Sequence, residues 1–125
     1  MGIAGDDRLR ALLQSPGGPT LPWAGVARAW VPVSEGTRVL VDLRNIPDPD
    51  TWDLPEGLSD LGPAATVSAI GRAAVSDPSI VQRAVSALQD HGLVSWWASG
   101  DRFCAEVDPH GIGQAQDALH RALIG

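Results

Sequence analysis

One cysteine, Cys104, stands among 125 residues, so neither an intramolecular disulfide nor a multi-cysteine metal site is available to this chain. Cations are scarce as well. Nine arginines, with no lysine, face fifteen acidic residues, a formal net charge of -6. That balance removes the electrostatic footprint that phosphate backbones and anionic membranes require, and it argues against nucleic acid and membrane as partners. No stretch approaches the ~20 consecutive apolar residues of a membrane helix. The segment from Met1 to Arg8 has no apolar leader core, and Asp6 occupies the place where a myristoylation signal wants Ser or Thr. A cytoplasmic chain is expected.

Reactive constellations are missing too. The three histidines, His91, His110 and His120, have no Ser or Cys nucleophile arranged around them and match no metal-ligand spacing. They read as solvated or cap-adjacent side chains. Gly111 and Gly113 lack the third glycine and the β-α-β setting of a dinucleotide fingerprint. Cys104, mid-strand between Phe103 and Ala105, reads as a buried inert thiol. The acidic run from Asp48 to Asp60, with Asp53 and Glu56, reads as a solvated loop. No catalytic residues, no metal and no cofactor are assigned.

What is present is an ordinary globular balance, 44% apolar and 19% charged, in a length that suits one compact domain or two very small ones. Leu9, Leu12 and Leu13 recur at i, i+3, i+4 and predict a short amphipathic helix over Asp6 to Gln14. Ser15 to Pro19 ends it. Two β-rich runs follow, Ala24 to Val33 and Thr37 to Arg44, joined by hairpin chemistry at Ser34-Glu35-Gly36. In the second run Val39, Val41 and Leu43 share a face expected to be buried, and Arg38, Leu40, Asp42 and Arg44 a face expected to be mostly wet. Asn45 to Pro63, with four prolines and Trp52, predicts an ordered irregular connection.

The second half is clearer. Thr66 to Ile70 is a strand. Asp77 is placed as N-cap with Pro78 at the first helical position. Val81, Ala84, Val85 and Leu88 then give the stripe of a helix lying on a sheet, and Gly92 stops it. Leu93 to Ala98 and Arg102 to Val107 form a hairpin around Ser99-Gly100-Asp101. Ala115, Ala118, Leu119, Ala122 and Leu123 line a last helix. The order β-α-β-β-α predicts an α+β, ferredoxin-like unit with an antiparallel sheet, preceded by an incomplete α-β-β half. A fourth strand is missing from the order; it is expected from upstream, with the strand over Val39 to Leu43 as the obvious donor, or from another chain, or not at all. Alternation puts Val94 and Trp96 on one strand face and Ser95 and Trp97 on the other. Helices cover only one face of such a layer, so the Trp96-Trp97 pair predicts a partner subunit, as in a homodimer, another sheet, or the first half of the chain packed on the other face.

The stretch Ala65 to Gly71, the loop to Ser76-Asp77-Pro78-Ser79, the helix end Ala87-Leu88, the turn Ala98 to Asp101 and the closing Ala115 to His120 together resemble the ACT domain superfamily, in particular the second ACT repeat of the aspartokinase regulatory domain. The resemblance covers residues 65–123. It implies a non-catalytic regulatory or interaction module that dimerises or binds a separate aspartokinase-like catalytic chain, and that responds to an amino acid such as lysine or threonine. Residues 1–62 would be a degenerate first ACT-like half with its connection, and 63–125 the ACT-like domain. The effector contacts implied are Gly71, Ser76, Asp77, Ser79, Ser95, Ser99 and Asp101, with backbone amides and the helix N-terminus holding a carboxylate. Ser79 departs from the family, which has glycine there, and Trp96-Trp97 replaces smaller aliphatic residues. Two other readings stand beside this one: an assembly domain without effector binding, and a small cofactor-independent enzyme on a dimeric ferredoxin-like sheet with His91 or His110 as general base.

Overall fold

The structure is a computed structural model, and it describes residues 1–17, 27–45, 53–72 and 76–125. The elements are strands β1 (Gly2–Gln14), β2 (Ala27–Val33), β3 (Gly36–Asp42) and β4 (Leu58–Ile70), helix α1 (Pro78–Leu88), strands β5 (Ser95–Ser99) and β6 (Arg102–Val107), and helix α2 (Ile112–Leu123). Short 3-10 turns occupy Leu43–Asn45, Gln89–His91 and Pro109–Gly111. The chain divides into two compact units, one of Met1–Asp7 with Ala65–Gly125 and the other of Arg8–Ala64. Strands β1 and β4 contribute residues to both.

In the first unit the strands run in the order β1-β4-β6-β5. Strand β4 pairs antiparallel with β6 from Ala65↔Val107 to Ile70↔Arg102, and β6 pairs antiparallel with β5 from Ser95↔Glu106 to Ser99↔Arg102. Because side chains alternate along a strand, this register gathers Ala65, Val67 and Ala69 with Phe103, Ala105 and Val107 on one face. Ala84 and Leu88 of α1 and Ala115 and Leu119 of α2 close over that face as the core, and Ile3 packs against it. Full burial of side chains such as Leu88, Phe103 and Leu119 contributes roughly 1.5–3 kcal/mol each. The fold is therefore the expected α+β layer with an antiparallel sheet. Its missing strand is Gly2–Asp7 of β1, not the Val39 to Leu43 segment. The latter has no free edge to offer, since β3 is hydrogen-bonded to β1 on one side and β2 on the other.

Helix α1 starts and stops where its sequence dictates. Asp77 is extended at φ -110 and ψ 108 and caps the first turn, with Pro78 directly after it. Gly92 ends the following 3-10 turn in the left-handed region at φ 70. In α2 the stripe Ala115, Ala118 and Leu119 is buried, and Ala122 and Leu123 are half-buried.

In the second unit β1 pairs antiparallel with β3 from Leu9↔Asp42 to Gln14↔Thr37, and β3 pairs antiparallel with β2, with a register shift between Ala27 and Ala29. The expected hairpin is thus present over its described residues; 24–26 lie outside them. Three sequence expectations are corrected in this unit. Asp6 to Gln14 is extended, not helical. Its leucines are spaced for a helix, but the strand is covered on both faces: Leu12 joins Val39, Val41 and Leu58 on one, and Leu9 and Ala11 share the other with Leu40. For the same reason the side of β3 bearing Leu40 and Asp42 is buried rather than wet. Finally, the irregular connection ends before Leu58, where β4 begins. Trp52 lies outside the described residues.

Candidate functional site

The loop and helix start from Gly71 to Ser79 hold four of the expected effector contacts. Gly71 N donates to Asp101 O at 2.7 Å, which ties the β4 exit to the β5–β6 hairpin and brings a fifth contact, Asp101, beside the loop. Ser76 Oγ donates to Arg72 O at 2.9 Å. Asp77 Oδ1 accepts from Ser79 N at 3.0 Å and from Ser79 Oγ at 2.8 Å. The Ser79 hydroxyl and then the Ser79 amide, acting on the charged form, hold the Asp77 carboxyl below the usual carboxylate range.

A helix N-terminus can hold an anion only through amides that have no internal partner. In α1 Pro78 has no N–H, Ser79 N is bonded to Asp77 Oδ1, and Ile80 N and Val81 N donate to Asp77 O at 3.1 and 3.4 Å. The first turn is closed on itself. A ligand carboxylate would have to displace a side chain that is already charged and already well bonded. The serine at position 79 strengthens this closure by adding a second donor to the same oxygen.

The remaining expected contacts are on β5. Ser99 is exposed at the hairpin end near Asp101. Ser95 is four residues away, about 13 Å along an extended strand. It pairs with Glu106, which is only 2% exposed, and its Oγ is buried with no hydrogen-bond partner. Gly71, Ser76, Asp77, Ser79, Asp101 and Ser99 thus cluster at one end of the unit, and Ser95 sits at the other.

A second feature was not visible in the sequence. Between α1 and β5 runs an open groove of about 740 Å³ lined by Pro78, Val81, Gln82, Val85, Ser86, Trp96 and Ala98. Its lining is mostly apolar. Trp96 forms its floor on the strand side, 45% exposed and stacked on the buried Phe103 with ring centroids 5.8 Å apart. Trp97 is half-buried on the opposite strand face, beside Cys104 in the register. The Cys104 thiol is half-buried too, with Ser68 Oγ 3.4 Å from its sulfur.

Two charged groups complete the inventory. His110 Nδ1 lies 3.1 Å from Asp108 Oδ1, a histidine–carboxylate pair that the sequence reading did not anticipate. Asp108 also accepts from His110 N at 3.0 Å, and that amide and then the imidazole hold the Asp108 carboxyl below its usual range. The histidine side chain is 93% exposed, so the arrangement is a capped turn in water rather than an enclosed acid–base pair. In the other unit Asp42, 4% exposed, accepts from Arg44 N and Arg44 Nη1 and from Arg28 Nε and Nη2. Among the described residues no group of three or more His, Cys, Asp or Glu side chains is placed to hold a metal ion. No described helix is long and apolar enough to cross a membrane.

No protein family and no curated protein matches the chain in sequence. Solved structures do match in shape. The regulatory subunit of aspartate kinase from Thermus thermophilus, in its ligand-free form, superposes with a TM-score of 0.66 at 16% identity, covering 98% of this chain and 97% of that one. Aspartate kinase from Clostridium acetobutylicum gives a TM-score of 0.73 at 11% identity, over 98% of this chain and 34% of that enzyme. Aspartokinase III of E. coli, in complex with lysine and aspartate, gives 0.64 at 14% identity, over 100% of this chain and 33% of that enzyme. The chain therefore shares the fold of the aspartate kinase regulatory subunit. It spans nearly all of the separate regulatory subunit and about a third of the full-length kinases.

Proposed function

We propose that this chain is a non-catalytic, ACT-like regulatory module that acts by associating with other protein chains. The observation that carries this reading is the two-way coverage with the separate regulatory subunit, 98% of one chain against 97% of the other. Residues 1–62 are read as a degenerate first ACT-like half with its connection and 63–125 as the ACT-like domain, which Met1–Asp7 join in one compact unit. The partners are a second copy and a separate aspartate kinase-like catalytic chain.

Amino-acid sensing is the finer part of the proposal. Aspartokinase III is solved with lysine and aspartate bound, and an effector of that class is proposed here at the Gly71 to Ser79 loop, with Ser99 and Asp101 beside it. The internally satisfied first turn of α1 makes such binding weak, because the Asp77 cap must open to admit a carboxylate. Association is therefore the primary activity and sensing the secondary one.

The deciding experiment mixes the purified chain with an aspartate kinase catalytic chain stripped of its own regulatory region. Stable co-migration with a changed kinase rate is expected. Failure to bind any such chain, together with no calorimetric heat from lysine, threonine, methionine or aspartate, would remove the reading.

A further inference from the structure

We infer that Arg28 and Arg44, pinned side by side by the buried Asp42, form a clamp for the carboxylate or phosphate group of a small-molecule ligand. The inference stands apart from the regulatory reading. All three residues belong to the unit Arg8–Ala64, and none belongs to the Gly71 to Ser79 loop.

The charges do not balance within the cluster. Asp42 is 4% exposed and carries one negative charge, which a single guanidinium would balance. It is met by two. Arg28 Nε donates to Asp42 Oδ2 at 3.0 Å with Arg28 Nη2 on the same oxygen, and Arg44 Nη1 donates to that oxygen at 3.0 Å. Arginine stays protonated in proteins, so one positive charge is left over among the three side chains, in a chain whose formal net charge is -6. Both guanidinium groups reach water, with 59% of the Arg28 side chain and 42% of the Arg44 side chain exposed. Ion pairs made by groups so exposed add little to stability, so stability alone does not call for the second arginine.

The backbone aims Arg28 at this place. In the pairing of β2 with β3, Ala27 stands opposite Val41 and Ala29 opposite Leu40, so Arg28 is the extra residue of a bulge. A bulge takes a side chain out of the alternation of its strand, and this one lies on β2, which ends the strand order. Arg44 comes from the turn Leu43–Asn45 after β3, where its amide is fixed to Asp42 Oδ1 at 2.9 Å. Because both guanidinium groups bond one oxygen, the bonded nitrogens are no further apart than two hydrogen bonds in series, about 6 Å. Two cations so close repel each other, and the buried carboxylate holds them together. Arg28 spends Nε and Nη2 on Asp42, and its Nη1 bonds nothing among the described residues. A planar guanidinium edge fits the oxygens of a carboxylate or a phosphate, and the Arg44 charge beside it adds to the attraction. Donors held in place before the ligand arrives also spare part of the ordering cost of binding. The ligand is a small oxyanion rather than a large polyanion, since the acidic chain as a whole repels the latter.

The test titrates the full chain at neutral pH and matched ionic strength with inorganic phosphate in one arm, succinate in a second and chloride as the control. Saturable movement of the Arg28 and Arg44 Nε–H signals in NMR spectra is expected with phosphate or succinate and not with chloride, and the arm that responds identifies the oxyanion. Arg28→Gln should weaken that binding about tenfold or more with an unchanged circular dichroism spectrum. Arg28→Lys keeps the charge but loses the planar edge, and should weaken it several-fold. No saturable response beyond chloride, a response confined to other arginine signals, or full affinity in either variant overturns the clamp. If the variants do not fold, the signals that move in the unmodified chain decide alone. The outcome leaves the regulatory reading where it stood, because binding here is measured without a kinase chain.

Discussion

A methyl group added at Gly92 would stand 2.8 Å from the Cβ of Asp108, closer than any real pair of such atoms. The turn that ends α1 and the turn that begins α2 therefore fit together only because position 92 has no side chain. Gly100, in the β5–β6 hairpin, has nearly the same backbone angle, φ 63 against φ 70, but nothing within 4 Å. Replacing Gly100 by Ala should cost only the left-handed backbone penalty, roughly 1–2 kcal/mol. Replacing Gly92 by Ala should cost that and crowding besides, about 3 kcal/mol or more in total. Urea unfolding of the two variants isolates the steric part as the difference between them.

Asp42 yields a pH prediction. Burial pushes its carboxyl pKa up, but the Arg44 amide and the Arg28 and Arg44 guanidinium groups outweigh burial and leave it below the ordinary value. A folded-state pKa below the unfolded one contributes stability that is complete above the unfolded pKa, near 3.9, and is lost as pH falls through the folded value. Asp42→Asn should cost about 1.5–3 kcal/mol at pH 7 and reduce the acid-side slope of stability. Equilibrium unfolding from pH 7 to pH 2 reads both effects.

The Asp77 cap should behave differently. Asp77→Ala removes the acceptor of two Ser79 donors and is expected to lower the thermal midpoint, whereas Asp77→Asn keeps an acceptor and loses less. Because the carboxyl is held below its usual range, the margin of the wild type over Asp77→Asn should be present at neutral pH and fade in acid. If effector binding requires the cap to open, Ser79→Gly should strengthen any calorimetric signal from lysine or threonine.

Phe103 and Trp96 touch face to face, yet they should differ sharply on truncation. Phe103 is 1% exposed in the core, and Phe103→Ala is expected to cost about 3–5 kcal/mol. Trp96 is half in water, so Trp96→Ala should cost about 1 kcal/mol or less within one chain. Its larger effect should appear in the dimer mass. Chemical denaturation at low protein concentration separates the two contributions.

The second half of the fold was legible because its signals are local. Asp77 with Pro78, Gly92, and the two-residue turn after Ser99 each fix the backbone on their own, and the stripes of α1 and α2 have one buried face. In the first half the hairpin of β2 and β3 was legible, but β1 was not, because it is covered on both faces. Leu9, Ala11 and Leu12 then lose the alternation that distinguishes a strand, and what remains happens to match helical spacing. Asp42 misled for a related reason: its partners Arg28 and Arg44 satisfy it only after the hairpin has formed. Of the candidate site, the loop cap at Asp77 could be read from sequence. The groove could not, since it is made by α1 and β5 meeting across the sheet edge.

The strand Gly2–Asp7 belongs to a unit whose other members begin at Ala65. The whole unit Arg8–Ala64 lies between them in sequence, so their pairing has to close a loop of that length. Such a closure loses chain entropy before any contact rewards it, and folding of the first unit should therefore be limited by this long-range step.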